Sequence, residues 1–361
     1  MHRYNDILHI INKEIIDDNI GYKEISLFED SQSFKYNRII INKYLLANIV
    51  IANIYKSLHP IFSMERIKIT FLGTGNAVPT EKRNHTAVLL SYKNENILID
   101  CGEGTQRQFR YAKLSPSKLT RILITHWHGD HILGLPGLFQ TLGMSEYQKT
   151  LELYGPKNTY YFIEQLKKLV NIKIPLEIKE LSSGKLFENK EFYLEAEQMS
   201  HDTPALAYSF VIKDRRHLNE KKIKKLKIPN SPLLGDLQKG KDIIFNGKKI
   251  KSSQVSYLEK GKKVSIILDT SPNPNTIKLA KNSDLLICES TFSKEEEKVA
   301  REYKHLTSTD AADIAKKSKS KKLILTHISQ RYEHSPEIIL KEAKKLFKNT
   351  FLAKDLEVVE I

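Results

Sequence analysis

The chain has 361 residues, 40% of them hydrophobic, enough for one large or two modest domains around a substantial core. Its longest apolar run outside the motif region, 44–55, is roughly half a bilayer crossing and contains two Asn, so it reads as a buried helix and not a membrane span; no secretory leader is visible, and Cys101 and Cys288 alone exclude a disulfide framework and point to the cytoplasm. A formal net charge of +15 implies a polyanionic partner, and its distribution is uneven, since 213–263 holds sixteen Lys and Arg against five Asp and Glu.

Residues 1–63 are rich in Ile, Asn, Lys and Tyr and lack both glycine-punctuated strand units and clustered ligands, so a boundary falls near 63. They are either a small helical extension or sequence ahead of an initiator at Met64. The domain 64–361 opens on an alternating strand, 66–71, and a glycine-rich turn, 72–80. That turn lacks the Gly-Lys-Ser/Thr of a Walker loop and the third glycine of a dinucleotide fingerprint. Strands are expected at 86–90 and 96–100, then a glycine turn and a helix over 106–113. A buried strand at 119–124 precedes a helix over 132–143, a strand at 151–154, a helix over 157–170, and strands at 191–198 and 205–212. In the basic segment Pro229, Pro232, Gly235, Gly240 and Gly247 forbid one long helix, which leaves an arm or long insertion. Strands at 263–268, 285–288 and 321–325 follow. Repeated strand, glycine turn and helix units argue for a layered α/β fold.

The chemistry concentrates after the strand at 119–124, in Thr125-His126-Trp127-His128-Gly129-Asp130-His131. In extended backbone His126 and His128 project to one side and can grip one cation, while Asp130 and His131 turn toward a second. Three imidazoles and a carboxylate in so short a span suit a borderline metal such as zinc. His201, Asp269 and His327 each also follow a β-rich run, so one sheet edge can collect them all.

These residues resemble a known family. His126 to His131 has the HxHxDH form of the metallo-β-lactamase superfamily, and four further stretches resemble its ribonuclease Z family, the tRNA 3′-processing endonucleases. They are Phe71-Leu72-Gly73-Thr74-Gly75 with 79–84; Asp100-Cys101-Gly102-Glu103-Gly104-Thr105-Gln106; Glu289-Ser290-Thr291-Phe292 with His305-Leu306-Thr307-Ser308; and 325–332. The similarity spans about 64–361, near the length of the short, homodimeric form. It implies an αββα sandwich with two zinc ions per subunit, one held by His126, His128 and His201, the other by Asp130, His131 and His327, and Asp269 between them. It also implies that 213–263 is an inserted arm that grips precursor tRNA; where such arms carry Gly-Pro, this chain has Ser231-Pro232.

The expected reaction is removal of the 3′ trailer from precursor tRNA, leaving a 3′-hydroxyl on the tRNA and a 5′-phosphate on the trailer. Asp130 would accept the proton of the attacking water, and His305 would protonate the leaving oxygen with Glu289 fixing its tautomer. Arg83, Asn84 and Arg331 are candidates for positioning RNA phosphates or terminal bases. Two other readings stand at this point: a hydrolase of small phosphodiesters with the same metals, and a non-catalytic RNA-binding subunit, against which all seven ligand positions are filled.

Overall fold

A computed structural model describes residues 66–361. The apolar run 44–55 and the boundary near 63 lie outside the described residues.

The first half of the fold is a mixed sheet built from β1 (Lys68–Gly73), β2 (Ala87–Tyr92), β3 (Glu95–Ile99), β4 (Arg121–Leu123), β5 (Leu151–Gly155) and β6 (Leu176–Glu180). These strands follow one another side by side, antiparallel through β3 and parallel from β3 to β6. Helices α1 (Thr105–Tyr111), α2 (Gly129–Ile132), α3 (Leu135–Met144) and α4 (Thr159–Leu169) lie in the connections. Strands β1 and β2 read as nearly continuous apolar runs because both faces are buried, whereas β6 at the sheet edge carries charged residues. Val88 and Leu90 of β2 point into the core between the sheets, while Ala87 and Leu89 join Phe109, Leu138 and Ile163 of the helical layer.

The single helix expected over 132–143 is two helices. Pro136 sits in the first turn of α3, where its missing N–H is harmless, but further inside a helix its ring would clash with the Ile132 carbonyl. Gly134, between them, donates its N–H to the Cys101 carbonyl instead. That break lets the turn carrying Asp130 and His131 stop short and face the strand ends.

The second half repeats the plan with β7 (Gly184–Glu188), β8 (Phe192–Met199) and β9 (Ala205–Ile212), then the inserted segment. Within it β10 (Arg215–Leu218) leads to α5 (Glu220–Lys225), α6 (Pro232–Gln238), the hairpin β11 (Ile243–Phe245) and β12 (Lys248–Ile250), and α7 (Ser252–Val255). The segment closes with β13 (Ser256–Glu259) pairing antiparallel to β10 as a stem. Ile223, Ile228, Leu237, Ile243, Ile250 and Val255 form a core of its own, and Ser231-Pro232 begins α6.

Strands β14 (Lys263–Ile267), β15 (Leu285–Glu289), β16 (Leu323–Thr326) and β17 (Thr350–Leu352) complete the second sheet, again antiparallel from β7 to β14 and parallel from there on. Helices α8 (Pro274–Ala280), α9 (Glu297–Glu302), α10 (Ser308–Lys317) and α11 (Glu337–Leu346) accompany it, and β18 (Val358–Glu360) returns to the edge of the first sheet beside β1. α10 starts where it does because Thr307 and Asp310 cap each other reciprocally. Phe71, Leu90, Ile97 and Ile99 from one sheet meet Phe192, Phe210, Val264 and Ile287 from the other. Truncating one such residue, Leu90→Ala, costs about 2–5 kcal/mol. Two sheets back to back with helices outside make the αββα sandwich. Its consequence for the site is that β3, β4, β8, β14, β15 and β16 all end at one edge.

Candidate metal centre

Every ligand candidate stands at or just beyond one of those strand ends. Residues 124–128 continue from β4 in extended form, and the Leu206 N–H donates to the Thr125 carbonyl (2.9 Å), tying this segment to the opposite sheet. His126, His128, His201 and Asp269 form one cluster of possible ligand atoms and Asp130, His131, Asp269 and His327 another, with the atoms in each lying within 4.8 Å of one another.

The distances divide the work of Asp269 between the two clusters. Its Oδ2 lies 3.6 Å from His126 Nε2 and 3.9 Å from His201 Nε2. Its Oδ1 lies 3.4 Å from His131 Nε2 and 3.1 Å from His327 Nε2. Asp130 Oδ2 closes the second cluster at 3.3 Å from His131 and 3.5 Å from His327. His128 faces the first through Nδ1, 3.2 Å from His201 Nε2.

Behind the clusters, the Nδ1 atoms of His126, His131, His201 and His327 each have a partner. His131 Nδ1 donates to Asp100 Oδ2 (2.6 Å). The same carboxylate accepts from the Thr125 N–H (2.7 Å) and the Thr125 hydroxyl (2.6 Å), and that hydroxyl lies 3.0 Å from His126 Nδ1. On the second sheet Glu289 faces His305 Nδ1 with both oxygens at 3.2 Å and accepts from the Thr270 N–H (2.8 Å) and the Thr291 hydroxyl. The Thr291 hydroxyl lies 2.9 Å from His327 Nδ1, and His201 Nδ1 donates to the Lys304 carbonyl (3.2 Å). Asp100, Thr125 and Thr291 were not expected from the sequence as site residues. The available signal was that Asp100 ends an apolar strand as Asp269 does.

Asp100 and His327 are both left-handed, with φ of 57° and 58°. Such strain persists only where the surroundings over-determine it, and here it turns both side chains into the site. Gly102, the second residue after Asp100, has no room for a Cβ, which would run into the Asp130 carbonyl, and Gly104 turns into α1 with φ 80°.

Charge and burial suit a cation. Burial and the neighbouring imidazoles push His126 well below its ordinary value, leaving it neutral as a ligand must be. Burial also works against His131, but Asp269, Asp130 and Asp100 outweigh it and raise its affinity for positive charge. Asp130 and Asp269 stay ionised because the imidazoles overcome the burial that would raise them. His126 Nε2 and Asp269 Oδ1 are sealed from solvent without a hydrogen-bond partner. Buried polar atoms are seldom orphaned, and a divalent cation in each cluster, one facing His126 Nε2 and one facing Asp269 Oδ1, would account for both. Imidazole nitrogen with carboxylate oxygen is a donor set for zinc and its neighbours, so the residues present fit such a centre.

The three candidates for substrate contact have other partners. Arg83 is buried and its guanidinium donates to Thr74 Oγ1 (2.6 Å) and the Ala353 carbonyl (2.9 Å). Asn84 Nδ2 donates to the Glu103 and His85 carbonyls, and the Asn84 N–H donates to Asp355 Oδ2 (2.7 Å). Arg331 pairs with Glu296 (2.7 Å) over the Phe292 ring. All three brace the loops that flank the site.

Fold and site together define a metal-dependent hydrolase of the metallo-β-lactamase fold. Proteins named ribonuclease Z match across most of the chain: that of Methanosarcina acetivorans is 38% identical over 82% of this chain and 98% of its own length, and those of Methanothermobacter thermautotrophicus and Enterococcus faecalis are 40% and 38% identical, each over 82% of this chain and 97% of theirs. The chain belongs to the ribonuclease Z family. The crystal structure of human tRNase Z, short form, aligns with a TM-score of 0.59 and 27% identity, covering 81% of this chain and 98% of that one. The metallo-β-lactamase fold protein YhfI from Bacillus subtilis aligns with a TM-score of 0.61 at 21% identity over 82% of this chain and all of its own, a likeness of fold. A protein-family model described as anti-Pycsar protein Apyc1 matches residues 67–222.

Proposed function

We propose that this chain is a zinc-dependent endoribonuclease that removes the 3′ trailer from precursor tRNA, working as a cytoplasmic homodimer. The observation that carries the reading is the Glu289–His305 pair set against the ligand clusters, with His305 Nδ1 3.8 Å from Asp269 Oδ2. Hydrolysis of a small, activated ester has little need of a separate acid, whereas expelling a ribose 3′-oxygen does.

In this reading His126, His128 and His201 hold one zinc ion, Asp130, His131 and His327 hold the other, and Asp269 serves both. The ions supply electrophilic charge against the phosphate and make water a nucleophile at neutral pH. Asp130, kept ionised, accepts the proton of the attacking water. His305 keeps Nδ1 toward Glu289, so its other nitrogen, Nε2, is the one that delivers a proton to the leaving 3′-oxygen as the phosphorus–oxygen bond breaks. The tRNA then ends in a 3′-hydroxyl and the trailer begins with a 5′-phosphate. The inserted segment, with Lys221, Lys222, Lys224 and Lys225 on and beside one short helix, supplies a basic surface for the tRNA body. Arg83, Asn84 and Arg331 shape the loops around the scissile bond.

The test is incubation, with and without chelator, of precursor tRNA bearing a 3′ trailer and of an equal concentration of a small phosphodiester. Chelator-sensitive cleavage just 3′ of the discriminator nucleotide, much faster than on the small ester, is expected. Turnover of the small ester with the RNA untouched would overturn the RNA assignment and leave a metallophosphodiesterase.

A further inference from the structure

We infer that Thr291 is a positioning residue whose single hydroxyl couples the proton-donating pair Glu289–His305 to the metal ligand His327. This rests on the RNA-cleaving reading above for its acid half, and on the metal centre alone for its ligand half.

The argument starts from what one hydroxyl can do. Thr291 is fully buried, and its Oγ1 has one proton to donate and two lone pairs to offer. Glu289, also fully buried, is an acceptor only when ionised, so the Thr291 proton goes to Glu289 Oε2. Thr291 Oγ1 itself is 2.9 Å from His327 Nδ1 and, its proton spent, has only lone pairs left, so His327 must donate there. Its proton is then fixed on Nδ1 and its Nε2 lone pair points at Asp269 Oδ1, 3.1 Å away, where the cation would sit.

The acid side depends on the same group. His305 Nδ1 is shared between the two Glu289 oxygens, and Thr291 Oγ1 stands 3.5 Å from it. Three groups thus hold the carboxylate: the Thr270 N–H on one oxygen, the Thr291 hydroxyl on the other, and His305 across both. The Thr125 hydroxyl makes the same bridge on the first sheet, donating to Asp100 and facing His126 Nδ1. Two threonines repeat one arrangement of imidazole, hydroxyl and buried carboxylate, which marks the hydroxyl as the functional part of the side chain.

Valine has the shape of threonine without the hydroxyl. In Thr291→Val the Nδ1–H of His327 is left unpaired, and the imidazole can move its proton to Nε2 and donate to Asp269, competing with the cation. Glu289 loses one of its restraints at the same time. We expect zinc affinity, read by competition with a chromophoric chelator, to fall roughly tenfold or more. At saturating zinc, kcat on precursor tRNA falls by a larger factor than kcat on bis(4-nitrophenyl) phosphate, whose leaving group needs no acid. Thr291→Ser restores both.

Unchanged zinc affinity together with unchanged kcat on RNA in Thr291→Val would overturn the inference. So would equal losses on the two substrates, which leave Thr291 acting on the ligand alone, or a serine variant no better than valine. Failure of the RNA reading has a different signature, a wild-type protein that turns over the small ester and not the RNA.

Discussion

Asp100 gives the sharpest test of how the centre is held, because one carboxylate orients ligands of both clusters: His131 directly and His126 through Thr125. Asp100→Asn preserves size, and Asn tolerates the left-handed backbone at this position, so the change is chemical and not conformational. The Asn Oδ1 can still accept from the Thr125 N–H. At the other position an NH2 replaces an acceptor, facing two donors, the His131 Nδ1–H and the Thr125 hydroxyl. The simplest relief is for His131 to carry its proton on Nε2, which then points at Asp130 and Asp269 and is lost as a ligand atom. Removing such a partner weakens metal binding by roughly 10- to 100-fold, about 1.4–2.8 kcal/mol, and the upper part of that range is expected because two ligands are disturbed. The assay is zinc competition against a chelator at fixed pH, with circular dichroism and a thermal midpoint to establish that the variant folds. A folded Asp100→Asn protein binding zinc within about twofold of wild type would refute the orientation argument.

Replacing His305 by Ala should leave zinc content intact and lower kcat on precursor tRNA by roughly 10²- to 10⁴-fold; loss of metal instead would make it a ligand. Burial alone would lower His305, but Glu289 and Asp269 outweigh it and lift the imidazole to about 9. A proton donor loses its active form as pH rises through its pKa, so the alkaline fall of kcat/KM should move to lower pH in Glu289→Gln, and an unmoved limb would dissociate the pair from proton delivery. Glu152 lies far from this chemistry. Burial raises it, yet the Tyr154 hydroxyl, Arg121 and Lys179 hold it below its ordinary 4.5. It therefore stabilises the fold above that pH and ceases to as pH falls through the lower folded value. Urea midpoints of wild type and Glu152→Gln should converge on acidification below about pH 4.5, and a constant gap would refute the assignment.

The residues that gather in the two candidate metal clusters were legible because each follows an apolar strand, a pattern that needs only local reading: His126 after β4, His201 after β8, Asp269 after β14, His327 after β16. The residues behind them were not. Thr125 and Thr291 look like ordinary β-branched residues, and only the fold brings their hydroxyls between imidazole and carboxylate. Arg83 shows the other side: a basic residue behind a glycine-rich turn suggests a phosphate, and nothing local in the sequence reveals that its guanidinium bonds Thr74 and the Ala353 carbonyl. Strands β6, β7, β17 and β18 run for only three to five residues, and β6 and β7 carry charged residues, so they offer too short an apolar pattern to stand out from loop. The interior of the basic segment was hidden for a related reason: its six core aliphatics are scattered among lysines, and their clustering is a tertiary event.

That segment leaves and re-enters the sandwich at one point. Ile212 N–H donates to the Lys262 carbonyl (2.8 Å), and Val211 of β9 sits opposite Lys263 of β14, so the two strands are neighbours with or without what lies between them. Cutting the chain there and rejoining it with a short turn would remove a folded piece with its own stem and core, while every candidate ligand stays at the end of strands that never part. Closing a longer loop costs little more than closing a short one. The region can therefore be enlarged, trimmed or exchanged for another during descent while the sandwich that carries the candidate metal centre is inherited unchanged, which makes the inserted piece and the fold beneath it two separately heritable parts.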